Sequence, residues 1–322
     1  MLEINKRNSH LWSHLGPRAV YGQTLAELID DNEAVYAISA DLGGSSGLKR
    51  LMRAHPDRYM NVGIAEQNLV GVAAGLAKEG LVPFCSSFAP FITHRCADQV
   101  RMNMGYMHLN IKTVGLGSGI SMSVLGNSHY GAEDLSFMRS IPGMTILSPC
   151  DCAELAMCVR AAANYQGPVY IRMTGEPGMP VVYEDAFDFQ IGKSNMLCKG
   201  KDILMIATGS MVFFCLQAAK KLEEVGISAT VIDMHTVKPF DTSIFENFDA
   251  SYKLIVTVEE HNIMGGLGTL VCQYVATSGI NCKVMNIGLP DEYLKAGSYQ
   301  YMLEKYGLTA DIIFLKIMEK LS

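Results

Sequence analysis

No apolar run in these 322 residues reaches the roughly 18–20 needed to span a bilayer, which excludes an obvious membrane-crossing helix. The first sixteen residues, "MLEINKRNSHLWSHLG", lack the hydrophobic centre of a signal peptide. Charge of one sign is not in large excess. The formal net charge is −6 and scattered, which gives no basis for binding nucleic acid or an anionic membrane. There is no Cys-x-x-Cys pair, and nine cysteines spread over a large chain read as reduced, mostly buried thiols. Cys150, Cys152 and Cys158 lie close together, but their spacing fits no familiar zinc pattern and no histidine is near them. Proline is sparse at 11 residues, and low-complexity segments are missing. The expected setting is the cytoplasm. What is there is a chain 49% hydrophobic and 18% charged, the make-up of a soluble globular protein long enough for two domains.

Its organisation reads as α/β. "RAVYGQTLAELIDDN" (18–32) has apolar positions three and four apart and reads as an amphipathic helix. "AVYAISAD" (34–41) is an apolar β-type run that ends in Asp and a Gly-rich loop, the grammar of an open α/β sheet. "LVPFCSSF" (81–88), "IKTVGLG" (111–117), "MTILSP" (144–149) and "PVYIRM" (168–173) are short and apolar, as strands buried on both faces are. "DCAELAMCVRAAANY" (151–165) reads as a helix between them. A second unit repeats the grammar: "DILMIATG", a helix over "SMVFFCLQAAKKLEEVG", then strands in "SATVIDMHTVKP", "KLIVTVEE" and "CKVMNIG". The expectation is two doubly wound, mostly parallel sheet domains. One covers 10–180 and the other 200–322, joined by a turn-rich linker at 181–199 with short extended pieces.

Five stretches carry more specific information: "AISADLGGSSGL", "HPDRYMNVGIAEQNLVGVAAGLA", "VPFCSSFAPF", "GNSHYGAEDLSFMRSIPGMTILSPCD" and "VTVEEHNIMGGLG". Together and in this order they resemble the C-terminal section of transketolases, from about Arg18 to the end of the chain. Those enzymes use thiamine diphosphate to move a two-carbon ketol unit. The resemblance implies a pyrimidine-binding domain followed by a transketolase C-terminal domain.

It also gives residues roles. Glu66 matches the acid that hydrogen-bonds the ring nitrogen of the cofactor's aminopyrimidine and so favours the tautomer that accepts the thiazolium proton. That chemistry calls for a carboxyl in an apolar pocket with a raised pKa, and Ile64, Ala65, Leu69, Val70 and Val72 are the neighbours expected to supply it. Without the resemblance, Glu66 reads equally well as an acid favoured by a helix N-terminus. Phe88 and Phe91 match aromatics that line the pyrimidine, whereas Phe84 reads as core. Asp41, at the Gly-rich turn where α/β sheets place their ligands, and Ile64 are expected to contact the cofactor, and Arg18 and Ser45 stand at positions that hold a sugar phosphate. His129 matches the histidine near the reacting carbon, able to bond substrate hydroxyls and move protons. "ITHRCADQVRM" is one residue longer than the family pattern, so His94 receives no role. Glu259, Glu260 and His261 read as a strand end and an interface loop.

The departures concern the substrate. Gly117 stands for a family histidine, Leu125 for an acid that reaches the donor's hydroxyl, and Gly175 for an arginine that holds the phosphate. No Gly-Asp-Gly motif is present, so the diphosphate and Mg²⁺ are expected on a separate N-terminal subunit. The chain also begins where the second domain of a full-length enzyme would. The implied assembly is α2β2, this chain pairing with itself, and no metal site is expected on it. Small sugars are the expected substrates. Two other functions stay open: a decarboxylating enzyme of pyruvate-type 2-oxo acids, such as a deoxyxylulose-phosphate synthase or a dehydrogenase beta subunit, and a non-catalytic scaffold.

Overall fold

The short apolar runs become strands because each is flanked by helices that bury both of its faces. The structure, a computed structural model, describes residues 3–246 and 252–322. Six strands form most of the first sheet: β1 (Val35–Ser39), β2 (Tyr59–Asn61), β3 (Val82–Phe88), β4 (Lys112–Leu116), β5 (Thr145–Leu147) and β6 (Val169–Met173). β7 (Asn195–Cys198), β8 (Ile203–Ala207), β9 (Ala229–Asp233), β11 (Leu254–Asn262) and β12 (Val284–Leu289) form the second, and β10 (Thr236–Lys238) lies between β9 and β11 in the chain. The orders are β10-β5-β6-β4-β3-β1-β2 and β12-β11-β8-β9-β7. All pairings are parallel except those of β10 with β5 and of β7 with β9. Both sheets are therefore mostly parallel, as expected from the sequence.

One expectation changes. "SATVIDMHTVKP" is not a single strand: it divides into β9, in the second sheet, and β10, which adds to the first with Thr236 opposite Leu147. The break falls at Met234 and His235, both fully buried at the junction of the two sheets. β7 lies in the stretch read as linker, and β2 falls in a stretch with no strand pattern.

The helices follow local rules. Pro17–Asp31 starts with Pro at its first position, where the missing N–H costs nothing, and buries Val20, Tyr21, Leu25 and Leu28. These join Leu155, Ala156 and Val159 of the helix Cys152–Asn164 in the main core. Asp151 caps that second helix, accepting from the Glu154 amide at 2.8 Å. Leu25→Ala would cost about 2–5 kcal/mol through the cavity it leaves. Helices that cross back between parallel strands run antiparallel to them, so their N-termini sit at the strands' carboxyl ends. That places Arg18, near one helix start, and Glu66, the first residue of the helix Glu66–Lys78, on one side of the sheet. Among the described residues no helix is long and apolar enough to cross a membrane.

Candidate active site at the carboxyl ends of the first sheet

The residues singled out from the sequence leave the carboxyl ends of successive strands. Asp41 lies just beyond β1, Glu66 follows β2, Phe88 closes β3, the loop 117–131 follows β4, and Gly175 follows β6. Asp41 adopts a left-handed conformation, φ 59°. Its amide donates to Asn61 Oδ1 at 3.0 Å, and Asn61 Nδ2 donates to Asp41 Oδ1 at 2.9 Å. The Gly63 amide donates to the same Asn61 oxygen at 3.0 Å. Asn61 thus ties the loop after β1 to the segment that leads into the Glu66 helix.

Glu66 is buried, at 4% exposure, and its Oε2 accepts from Arg95 Nη1 at 2.9 Å. Arg95 also lies over the Phe91 ring, 3.9 Å from its centroid. Phe91, Phe88 and His129 then meet edge to face: 5.9 Å between the phenylalanines, 5.4 Å from Phe88 to His129 and 5.3 Å from Phe91 to His129. Arg18 lies 5.7 Å from the Phe88 centroid. Positions far apart in sequence thus form one chain of contacts. His129 is half-buried, with Nδ1 3.0 Å from Ser128 Oγ. Ser45 is exposed in the loop after β1. Phe84 is fully buried in the main core.

Two features differ from the sequence reading. Of the residues expected to enclose Glu66, Leu69 and Val70 are fully buried, but Ile64 is 79% exposed. The carboxylate has a cation beside it as well as apolar neighbours. That cation, Arg95, falls in the stretch that is one residue too long. Phe91–Arg95 and Val100–Tyr106 are π-helical there, and a wide turn is how a helix absorbs an added residue.

The three departures from the family pattern converge. Gly117 has φ 63°, and a side chain there would run into the thioether of Met122. Met122, Leu125, Gly175, Glu176 and Arg18 line one pocket of about 410 Å³. Arg18 donates to Met122 Sδ at 2.9 Å, and burial lowers its pKa, opposed by the charge of Glu176. Gly175, φ 83°, brings the backbone over Met179.

The floor of this region is a buried polar network. Arg172 Nε contacts both Asp134 oxygens at 3.0 Å, its Nη2 donates to the Glu260 carbonyl at 2.7 Å, and Tyr170 donates to Asp134 at 2.7 Å. Glu260 Oε1 accepts from the Ile120 amide at 2.7 Å, while Oε2 accepts from Ser210 and Tyr299, both at 2.5 Å. Glu260 therefore anchors the loop that carries Met122 to the second sheet's side. His261 is held neutral, burial pushing it down to about 4; its Nδ1 donates to the Asn262 carbonyl.

One group of Cys, His, Asp or Glu close enough for a metal is found among the described residues: Cys150, Glu154 and Asp233, all buried at the junction. Burial raises the Cys150 thiol and the Glu154 carboxyl well above their ordinary values and pushes Asp233 up to about 6. Glu154 Oε1 and Asp233 Oδ1 have no hydrogen-bond partner as ionised groups. One shared proton satisfies both, and a neutral thiol is a poor ligand. This is a carboxyl pair beside the carboxyl ends of β5 and β9, apart from the Glu66–Arg95–Phe91–His129 run.

The architecture is that of a pyrimidine-binding domain followed by a C-terminal domain, in one chain. Family models say the same: the transketolase pyrimidine binding domain matches residues 14–176 and the transketolase C-terminal domain matches 192–313. The chain belongs to the transketolase family. It is 39% identical to a 6-deoxy-6-sulfo-D-fructose transketolase subunit of Clostridium sp., over 91% of this chain and 90% of that one. It is 35% identical to an apulose-4-phosphate transketolase subunit of Phocaeicola vulgatus, over 94% and 96%. A solved split-gene transketolase, an inactive beta4 tetramer, superposes with a TM-score of 0.86 at 37% identity, over 94% and 97% of the two chains. The chain also matches a 1-deoxy-D-xylulose-5-phosphate synthase of Carboxydothermus hydrogenoformans at 36% identity, spanning 48% of its length.

Proposed function

We propose that this chain is one subunit of a split transketolase that moves a two-carbon ketol unit from a ketose to an aldehyde, with thiamine diphosphate between it and a partner. The observation that carries the reading is the run of contacts Glu66–Arg95–Phe91–His129 at the strand ends. The donor set fits the aminopyrimidine: a buried carboxylate whose one hydrogen-bond donor among the described residues is Arg95, beside two aromatic rings. Thiamine diphosphate supplies, when bound, the carbon nucleophile of the exchange. Glu66 would hold a proton at the pyrimidine ring, with Arg95 fixing the carboxylate's orientation. Phe88 and Phe91 would line the ring, exposed Ile64 would meet the cofactor or the partner, and Asp41 would order the loop beside it. His129 would bond a substrate hydroxyl and move its proton, and Arg18 with Ser45 would bind the far end of the sugar.

The diphosphate and its Mg²⁺ are assigned to the partner, since no cluster of acidic or histidine ligands lies at this mouth among the described residues. The domain division proposed is 10–180 and 200–322 with the linker 181–199, and the working assembly is α2β2. Two relatives are named as transketolase subunits, one for a sulfonated and one for a phosphorylated sugar, which supports ketol transfer and leaves the substrate's end group to this chain's own pocket. The synthase similarity supports a second reading, decarboxylation of pyruvate. Co-expression with an N-terminal transketolase subunit separates them. Ketol transfer from a ketose without CO2 release is expected; CO2 release from pyruvate would favour the second reading.

A further inference from the structure

The pocket of about 410 Å³ at Gly175 is lined by two charged groups, Arg18 and Glu176. Its other lining is apolar or neutral: Leu15, Met122, Val124 and Leu125 with serines, glycines and prolines. Arg18 and Glu176 share the space without closing into an ion pair, and each keeps capacity for a ligand. Arg18 spends one contact on a sulfur, a weak acceptor. Glu176 accepts one bond, from Ser123 Oγ at 3.2 Å on Oε1. The lining therefore carries one positive and one negative charge and sums to zero.

A net-zero pocket cannot compensate a dianion, and a carboxylate within it repels one. The same carboxylate is a strong acceptor for a hydroxyl, and leaving such an acceptor unpaired on binding is costly. We propose that Glu176 is the specificity-determining residue of this pocket, accepting a hydroxyl hydrogen bond from the far end of a ketose that is at most singly charged and excluding a terminal phosphate dianion. Arg18 donates to the same end of the sugar, and Leu125 and Met122 pack against its carbon chain.

This inference rests on the ketol-transfer reading. Its test compares two matched donors, D-fructose and D-fructose 6-phosphate, on the enzyme reconstituted with its partner subunit. The wild type, Glu176→Gln and Glu176→Asp are assayed with one aldehyde acceptor. The ratio of kcat/KM for the two donors does not depend on how much of a preparation is folded. Wild type should favour the uncharged donor. Glu176→Gln should shift the ratio toward the phosphate by about a hundredfold, the product of a tenfold loss and a tenfold gain. Glu176→Asp, which keeps the charge, should keep the wild-type preference. A wild-type preference for the phosphate, or a shift below about tenfold in Glu176→Gln, would overturn the inference while leaving ketol transfer in place. Absence of turnover with every ketose would overturn both.

Discussion

Arg95 Nη1 lies 2.9 Å from Glu66 Oε2, a pairing between a carboxylate that is 4% exposed and a guanidinium that is 46% exposed. The same guanidinium lies against Phe91, so one cation joins the acid to the aromatic cluster. Replacing it separates a structural effect from a functional one. Arg95→Met should cost about 1–2 kcal/mol, below the loss expected for a fully buried pair because the arginine is half in solvent. Urea denaturation reads that loss. Ketol transfer should fall further, by about tenfold to a hundredfold, because the acid loses its orientation. Unchanged turnover would separate Arg95 from the site.

Phe91 touches Arg95, Phe88 and His129 at once. Phe91→Ala removes the ring that all three share, and Phe91→Tyr keeps it. The alanine variant should bind thiamine diphosphate about tenfold more weakly in the reconstituted complex, measured by calorimetry, while the tyrosine variant stays near wild type. Equal affinities for all three proteins would make the cluster a packing feature alone.

The carboxyl pair at the junction predicts a pH dependence of stability. Asp233, pushed up to about 6, and Glu154, raised well above its ordinary value by burial, hold a proton in the folded chain that the unfolded chain releases at ordinary carboxyl pH. The folded state binds the extra proton, so stability is greatest below this window and declines as pH rises through about 6. Glu154→Gln gives Asp233 a permanent N–H donor. Its melting temperature should fall less than the wild type's between about pH 5 and pH 8. Parallel curves for the two proteins would exclude the shared proton.

Tyr299 is one of two hydroxyl donors to Glu260 Oε2, the other being Ser210. Tyr299→Phe leaves a buried carboxylate one bond short and should cost about 1–2 kcal/mol in denaturant unfolding. Glu260 also holds the Ile120 amide, so the loop that carries Met122 loosens and KM for the sugar rises more than kcat falls. A stability loss with no change in KM would confine Glu260 to a structural role.

The strands buried on both faces were legible in the sequence because an unbroken apolar run has few alternatives. The helix Lys6–Leu15 was not, since "KRNSHLWSHL" buries only Ser9 and Trp12 and carries no apolar stripe. The change of sheet between β9 and β10 is a tertiary event at Met234 and His235, which local pattern does not encode. In the site, Glu66, Phe88, Phe91 and His129 could be singled out by motif. Arg95 could not, because a wide turn breaks the spacing by which a helix partner is found. Asn61 stood in plain view at the head of "NVGIAEQ", but its role depends on Asp41, twenty residues earlier. Ile64, expected beside Glu66, is exposed in the single chain, just ahead of the helix start.

The central claim is that the buried acid on the first residue of the Glu66 helix takes part in ketol transfer. The measurement that tests it most directly is the kcat for ketol transfer by Glu66→Gln in the complex with its partner, beside circular dichroism and assembly state. The account predicts at least about a hundredfold loss of kcat in a protein that folds and assembles like the wild type. Wild-type turnover by Glu66→Gln would contradict it.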